Sequence, residues 1–373
     1  MKKLLLLFFV TLIVLSNAQT TKNFVWDGTN REYIEYVPAI YDGTEAVPLV
    51  VCLHGLGDNM TNFSGIGMHT LANSENFIVL TPQALIAYYG TYEFGTAWNS
   101  GASYLGIVLN SSVDDLGFFN AMIDSTMALY NIDPNRIYFT GFSMGGFMCQ
   151  RVAAEMNSRV AAIASVAGTI GNAMTAIPPA SMPVLHCHGT ADTQVPYEDN
   201  NYGNDAEELI NYWVTFNNCD TEPIIDTLPN NVADGITVIK YLYDNGDYST
   251  DVEFYKAVGA DHQWLYPPTN DMSYTIAIWE FFSRHSKEPF VNTEDIKLIE
   301  NGIIFPNPAN DYLQINSGIY KKYEILSLEG KLIISGDINK NTDLDVSFLD
   351  NGCYFIKLTN DINSITEKII ISR

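Results

Sequence analysis

Positive charge is scarce in this chain: 19 lysines and arginines stand against 43 acidic residues over 373 positions, a formal net charge of -24. Nucleic acid is held through cations that neutralise phosphates, so a chain this acidic is poorly suited to that class of partner. The charge suits a protein kept soluble outside the cell. Cysteine is scarce too. The five residues, Cys52, Cys149, Cys187, Cys219 and Cys353, are unevenly spaced and odd in number, which excludes a disulfide-dense scaffold and leaves at least one thiol unpaired within the chain. Cys52 and Cys187 lie inside apolar strand-like runs, where buried free thiols are expected. Long apolar runs are absent. Residues 4–15 form an apolar stretch of 12, short of the about 20 that a spanning helix needs, and no later segment does better. Preceded by Lys2-Lys3 and followed by Ser16-Asn17-Ala18, that stretch reads as a secretory signal peptide cut after Ala18.

The chain does have the means to fold: 47% of its residues are hydrophobic and 12% aromatic, enough for one large domain and a smaller one. From residue 31 to about 270, short β-rich apolar runs alternate with helical stretches, the pattern of a mostly parallel sheet flanked by helices. Residues 47–53 are continuously apolar and fit a central strand; 77–81, 136–140, 160–165 and 183–187 repeat the theme. Helical spacing marks 113–130, 206–216 and 272–282. Residues 83–110 are long, rich in Tyr and Gly and without period, which predicts a functional loop forming one wall of a cleft. Residues 286–303 read as a linker, and from 304 to 373 strand-like segments separated by Gly and Asn turns predict a small all-β module. The expected plan is therefore a signal peptide over 1–18, a large α/β domain over 19–285, the linker and the β-rich domain.

Chemistry concentrates around Gly141-Phe142-Ser143-Met144-Gly145. A serine hydroxyl needs a base to take its proton and a turn that projects it toward a carbonyl carbon. A strand before this pentapeptide and a helix after it, starting near Gly146, make it a nucleophile elbow, with the Met144 amide facing the developing oxyanion. In such folds the acid and then the histidine follow the serine along the chain. His186 and His188 alternate on one strand face without a third metal ligand in view, which favours strand packing, and His285 sits at a helix end beside the linker. His262, in a loop after a strand over 252–256, is the candidate base. Asp192, in His188-Gly189-Thr190-Ala191-Asp192, is the candidate acid, with Asp199 as its rival. The loop His54-Gly55-Leu56-Gly57 should supply the second oxyanion donor through the Leu56 amide, with His54 holding the loop. Nothing in this chemistry calls for a metal or cofactor. Tyr89, among Tyr88, Tyr92, Phe94 and Trp98, is a candidate to stack on a sugar or phenolic ring, with core packing as the competing reading of these aromatics.

These residues resemble a known group. Val113-Asp114-Asp115-Leu116-Gly117-Phe118, then Asn131-Ile132-Asp133-Pro134-Asn135-Arg136-Ile137-Tyr138, the serine elbow, and His188-Gly189-Thr190-Ala191-Asp192 with Val195-Pro196-Tyr197 look like the secreted polyhydroxybutyrate depolymerase and feruloyl esterase group of α/β-hydrolases. The likeness runs over about residues 25 to 285. It implies Ser143, Asp192 and His262 as the triad, Asp115 as support for the catalytic region, and Trp98 and Trp264 as cleft residues. The group often has Gly-Gly-His-Thr-Trp-Pro at its histidine, where this chain has Ala260-Asp261-His262-Gln263-Trp264-Leu265. Many relatives pair a cysteine at the position of Cys219 with one in the next strand; residues 240–244 of this chain offer none. The tail, with Phe305-Pro306-Asn307-Pro308-Ala309, Gly330-Lys331, Leu349-Asp350-Asn351-Gly352-Cys353-Tyr354-Phe355 and a Lys368 to Arg373 ending, resembles the C-terminal sorting domain of the type IX secretion system, which implies that machinery as a partner and a secreted or surface location. A carbohydrate-binding module is the competing reading of the tail.

Three functions follow as expectations. A serine esterase would act on feruloyl or acetyl esters of plant polysaccharide or on a polyester such as polyhydroxybutyrate. A catalytically idle hydrolase fold would serve as a surface binding protein. A peptidase would use the same triad.

Overall fold

The computed structural model describes residues 18–287, 304–316, 320–328, 330–338, 341–360 and 364–373. The expected signal peptide and linker lie outside the described residues apart from positions 18, 286 and 287. The chain divides into two compact units, Met1–Lys287 and Glu288–Arg373.

In the first unit fourteen strands run in chain order as β1 (Ala18–Trp26), β2 (Thr29–Val37), β3 (Val47–Leu53), β4 (Ile78–Pro82), β5 (Leu85–Tyr89), β6 (Tyr92–Ala97), β7 (Ser103–Tyr104), β8 (Ile107–Val108), β9 (Ile132–Phe142), β10 (Ala162–Val166), β11 (Val184–Gly189), β12 (Ile224–Thr227), β13 (Thr237–Tyr243) and β14 (Val252–Val258). The helices are α1 (Met60–Phe63), α2 (Met68–Glu75), α3 (Asp115–Leu129), α4 (Met144–Glu155), α5 (Ala206–Phe216) and α6 (Tyr274–Arg284). Ten strands form one sheet in the order β1-β2-β4-β3-β9-β10-β11-β14-β13-β12. The six from β4 to β14 are parallel, and antiparallel ribbons close both edges.

Every residue of β3, β4, β10 and β11 is buried, as strands covered on both faces must be. Side chains alternate between two cores. Leu49, Val51, Ile163 and Val184 pack with Phe118, Met148, Leu209 and Trp213 from α3, α4 and α5. Val50, Cys52, Ala164 and Leu185 pack with Met68 and Ala72 of α2 and Ile278, Phe281 and Phe282 of α6. All five cysteines are free, and Cys52, Cys149, Cys187 and Cys219 are buried. This is the α/β-hydrolase architecture, and the C-terminal ends of the parallel strands share one edge, where such sheets carry their ligands.

Residues 83–110 differ from the aperiodic loop the sequence suggests. They hold two hairpins, β5 with β6 and β7 with β8. Glycine at the Gly90 turn and a register shift between Ala87 and Tyr88 disrupt the alternation that would have betrayed the first. The segment is tied down: Asn110 Nδ2 donates to the carbonyls of Leu85 and Ala97, and Gly57 N–H donates to the Thr96 carbonyl. The hairpin therefore stands beside the His54 loop.

The second unit holds β15 (Ile304–Phe305), β16 (Tyr312–Asn316), β17 (Lys322–Leu326), β18 (Leu332–Asp337), β19 (Asn341–Asp345), β20 (Gly352–Thr359) and β21 (Ser364–Ile371). They form sheets ordered β15-β16-β19 and β18-β17-β20-β21 around one core that includes Leu313, Ile315, Ile325, Ile356 and Ile369. Asn307 binds the carbonyl of Lys368 through Nδ2 and the amide of Ile370 through Oδ1, so the two ends of this unit that carried the resemblance meet.

Candidate active site

Ser143 sits between β9 and α4 with φ 54° and ψ -120°, a backbone conformation that a residue with a Cβ adopts only under strain. Helix α4 starts at Met144, two residues earlier than expected, so the serine itself is the pivot of the turn. The two glycines of the pentapeptide are there for clearance: a Cβ on Gly141 would run into the Gly145 carbonyl, and one on Gly145 into the carbonyl of Leu53. The Ser143 amide donates to the Val166 carbonyl at 2.8 Å, and its carbonyl accepts from Phe147, which locks the elbow to β10 and α4. As the first residue of α4, Met144 has an N–H that its own helix offers no carbonyl.

Asp192 and His262 come together on the loops after β11 and β14, with Nδ1 and Oδ2 2.8 Å apart. The amides of Gln194 and Val195 donate to Asp192 Oδ1 at 2.9 and 2.8 Å. Burial alone would raise this carboxyl, but hydrogen bonds from His188 and His262, the charge on His262 and the Val195 amide outweigh it and hold it well below the usual carboxylate range. Asp199, the rival acid, is exposed and outside this contact. The His262 ring packs 4.6 Å from that of Phe142, the residue before Ser143, so the candidate base stands beside the elbow.

Sequence reasoning missed Asp261. Its Oδ1 accepts from the Thr193 amide (2.9 Å), the Thr193 hydroxyl (2.8 Å) and the His262 amide (2.8 Å). Ala191 N–H donates to the Ala260 carbonyl as well, so the acid loop and the histidine loop are zipped together. The available signal was the departure from Gly-Gly-His at Ala260-Asp261-His262.

His54 is fully buried, and its bonds fix its tautomer. The Ala84 amide, which can only donate, points at Nε2 (3.1 Å), so Nδ1 carries the proton and donates to the Gly55 carbonyl at 2.7 Å. Burial holds its pKa below the usual imidazole range, which keeps the ring neutral. That carbonyl belongs to the same planar peptide as the Leu56 N–H, so anchoring one end aims the other. Among the described residues no backbone carbonyl takes the Leu56 amide.

The aromatic expectations divide. Trp98 is not a cleft residue. It is completely buried, and its indole donates to the His54 carbonyl at 2.8 Å, because a large ring with one donor fits the core beneath the loop better than its surface. Trp264 lies next to Phe142, 6.4 Å between centroids, and lines a groove with Ile66, Leu71, Tyr266 and Ile276. Tyr89 is 60% exposed on the β5–β6 hairpin, near Tyr88 and Tyr92, which are similarly open. Asp115, at the start of α3, is buried in an ion pair with Arg31 (2.7 Å) and accepts from the Asn99 amide, which ties β2 and α3 to the segment beneath the hairpins. Among the described residues no His, Cys, Asp or Glu cluster could hold a metal ion.

With a strained serine, a neighbouring histidine–carboxylate pair and two amides on one sheet edge, the arrangement suits nucleophilic attack on a carbonyl carbon. Residues 38–239 match the phospholipase/carboxylesterase family. The chain belongs to that family. Residues 303–372 match the secretion system C-terminal sorting domain, which directs this carboxylesterase-family chain through type IX secretion to the cell surface or beyond. Curated relatives include a bifunctional acetylxylan esterase/xylanase of Neocallimastix patriciarum, 30% identical over 46% of this chain and 23% of that protein. Poly(3-hydroxyalkanoate) depolymerase C of Paucimonas lemoignei is 30% identical over 39% of this chain and 33% of its own length. Feruloyl esterase B of Piromyces equi is 26% identical over 54% and 38%. The chain spans less than half of each of these relatives.

Proposed function

We propose that this protein is a secreted serine carboxylic-ester hydrolase that works through an acyl-enzyme, with feruloyl or acetyl esters of plant polysaccharide as its substrates. The observation that carries the reading is the 2.8 Å contact of Asp192 with His262, placed beside a serine held at φ 54°. In this scheme Ser143 Oγ bonds to the ester carbon while His262 takes its proton, and the amides of Leu56 and Met144 hold the oxyanion. Collapse breaks the carbon–oxygen bond to the alcohol, which leaves with the proton from His262. Water, deprotonated by His262, then repeats the attack and frees the acid. Asp192 orients the imidazole and stabilises its charged form. Trp264 and its groove, with the exposed Tyr89 beside Tyr88 and Tyr92, would receive the aromatic or sugar part of the substrate.

A polyester substrate is the second reading, favoured by the similarity to the poly(3-hydroxyalkanoate) depolymerase. Release of p-nitrophenol from short-chain p-nitrophenyl esters, lost in Ser143→Ala, tests the activity; a folded protein without turnover would instead be an idle binding fold. Product analysis on feruloylated arabinoxylan, acetylated xylan and amorphous polyhydroxybutyrate separates the substrates, and comparison of amide with ester analogues tests peptidase action.

A further inference from the structure

Behind Asp192 runs a line of buried polar groups that the acyl-transfer steps leave unused. Trp213 Nε1 on α5 donates to Gln150 Oε1 on α4 at 2.8 Å, and Gln150 Nε2 donates to Ser165 Oγ on β10 at 2.9 Å. Ser165 Oγ meets His186 Nδ1 at 2.8 Å, and His186 Nε2 meets His188 Nδ1 at 3.1 Å, both on β11. His188 Nε2 ends the line 2.9 Å from the Val195 carbonyl and 3.5 Å from Asp192 Oδ2. None of these five side chains belongs to a residue more than 1% exposed.

The two ends fix the direction. An indole N–H can only donate, so Gln150 must turn its oxygen to Trp213 and its amide hydrogens to Ser165. Ser165 then accepts from Gln150 and gives its own proton to His186 Nδ1, which leaves the His186 proton on Nε2. At the far end a carbonyl can only accept, so His188 carries its proton on Nε2 and accepts at Nδ1. This direction gives both imidazoles the same tautomer, with the proton on Nε2. Burial and the neighbouring His188 push the His186 pKa far below the usual imidazole range, which keeps that ring neutral. In-register pairing of Ser165 with His186 across β10 and β11 makes the line possible.

We propose that this one-way donor chain is a positioning device for Asp192, in which His188 is the residue that acts. Its Nε2–H holds the Val195 carbonyl, and the Val195 amide in turn holds Asp192 Oδ1, so the chain sets the tilt of the carboxylate that faces His262. A His188 of opposite tautomer would turn a lone pair toward two oxygens and push the acid loop away. The proposal rests on the reading of Asp192 as the triad acid, and it couples that acid to the helix that begins at the nucleophile.

Nitrogen-15 NMR of histidine-labelled full chain reads the tautomers without any need for activity. The expected result at pH 7 is two neutral Nε2–H imidazoles for His186 and His188; an Nδ1–H or charged form of either overturns the chain. Kinetics with p-nitrophenyl acetate then reads its purpose. His188→Phe fills the space without a donor and should lower kcat about 10- to 100-fold, with KM changed less than threefold, the scale of a small misplacement in a catalytic constellation. His188→Gln keeps a donor for Val195 and should recover kcat to within about fivefold of the wild type. Equal losses in both variants, or none in either, overturn the positioning role. Should the Phe variant not fold, Ser165→Ala leaves His188 in place: the His186 tautomer signal should change and kcat fall at least threefold, and no change in either refutes the proposal. A wild type that hydrolyses no ester defeats the esterase reading alone, because the NMR result stands apart from it.

Discussion

His54 offers the sharpest prediction, because two of its atoms do separable work. Nδ1–H fixes the Gly55–Leu56 peptide, and Nε2 accepts the buried Ala84 amide. One oxyanion donor is worth about 100- to 1,000-fold in turnover, or about 2.7 to 4 kcal/mol. His54→Phe does not delete the Leu56 amide but releases its peptide plane to a single weaker hold, the Asp58 amide at 3.3 Å from the same carbonyl. The loss in kcat should therefore fall below that ceiling, at about 10- to 100-fold. The orphaned Ala84 N–H should lower stability by about 1 to 3 kcal/mol. His54→Asn places a donor near the position of Nδ1 and nothing at that of Nε2. It should lose comparable stability yet keep kcat within about fivefold. The assay is p-nitrophenyl acetate turnover beside urea unfolding of the same preparations. A folded Phe variant with kcat within twofold of the wild type, or an Asn variant as slow as the Phe one, would show that His54 only fills space.

Further outcomes follow from the same geometry. Ser143→Ala should reduce ester turnover about 10⁴- to 10⁶-fold while thermal unfolding stays close to that of the wild type, as measured by calorimetry and p-nitrophenol release. Asp261→Ala unzips the acid loop from the histidine loop and should lower kcat about tenfold with little change in KM; steady-state kinetics that show the reverse pattern would refute the clamp. Asp192 has a folded-state pKa below its unfolded value, so its contribution to stability is complete above the ordinary carboxylate range, at about pH 4, and is lost as pH falls below it. The stability gap between wild type and Asp192→Asn should accordingly shrink as pH falls below about 4, as read by denaturant titrations at each pH. Asp115→Ala strands a buried Arg31 and should cost about 3 to 5 kcal/mol in unfolding experiments.

Local features were legible in the sequence, and long-range ones were not. The pentapeptide around Ser143 announces a strand-turn-helix because its glycines, serine and flanking periodicity all act within one turn. Chain order then singled out Asp192 and His262, which the fold brings to 2.8 Å. Trp98 was misplaced because nothing local separates a ring that faces a cleft from one that faces the core; its environment is made by His54 and Phe119, distant in sequence. The hairpins within 83–110 were hidden by a glycine turn and a register shift. Asp261 stood next to the chosen histidine, yet its role depends on Thr193, on another loop. The line from Trp213 to His188 draws on four separate elements, so no window along the chain could show it.

The clamp at Asp261 has a mechanical consequence. The candidate acid and base ride on loops joined by two hydrogen bonds to one carboxylate oxygen and a backbone bond besides, so a displacement of one loop should carry the other with it. The proposed triad would then have one soft coordinate, the separation of that pair from the serine elbow. A substrate that wedges between them, or an inhibitor bonded to Ser143, would be felt as a rocking of the joined loops against α4, with the carboxylate–imidazole contact carried along unchanged.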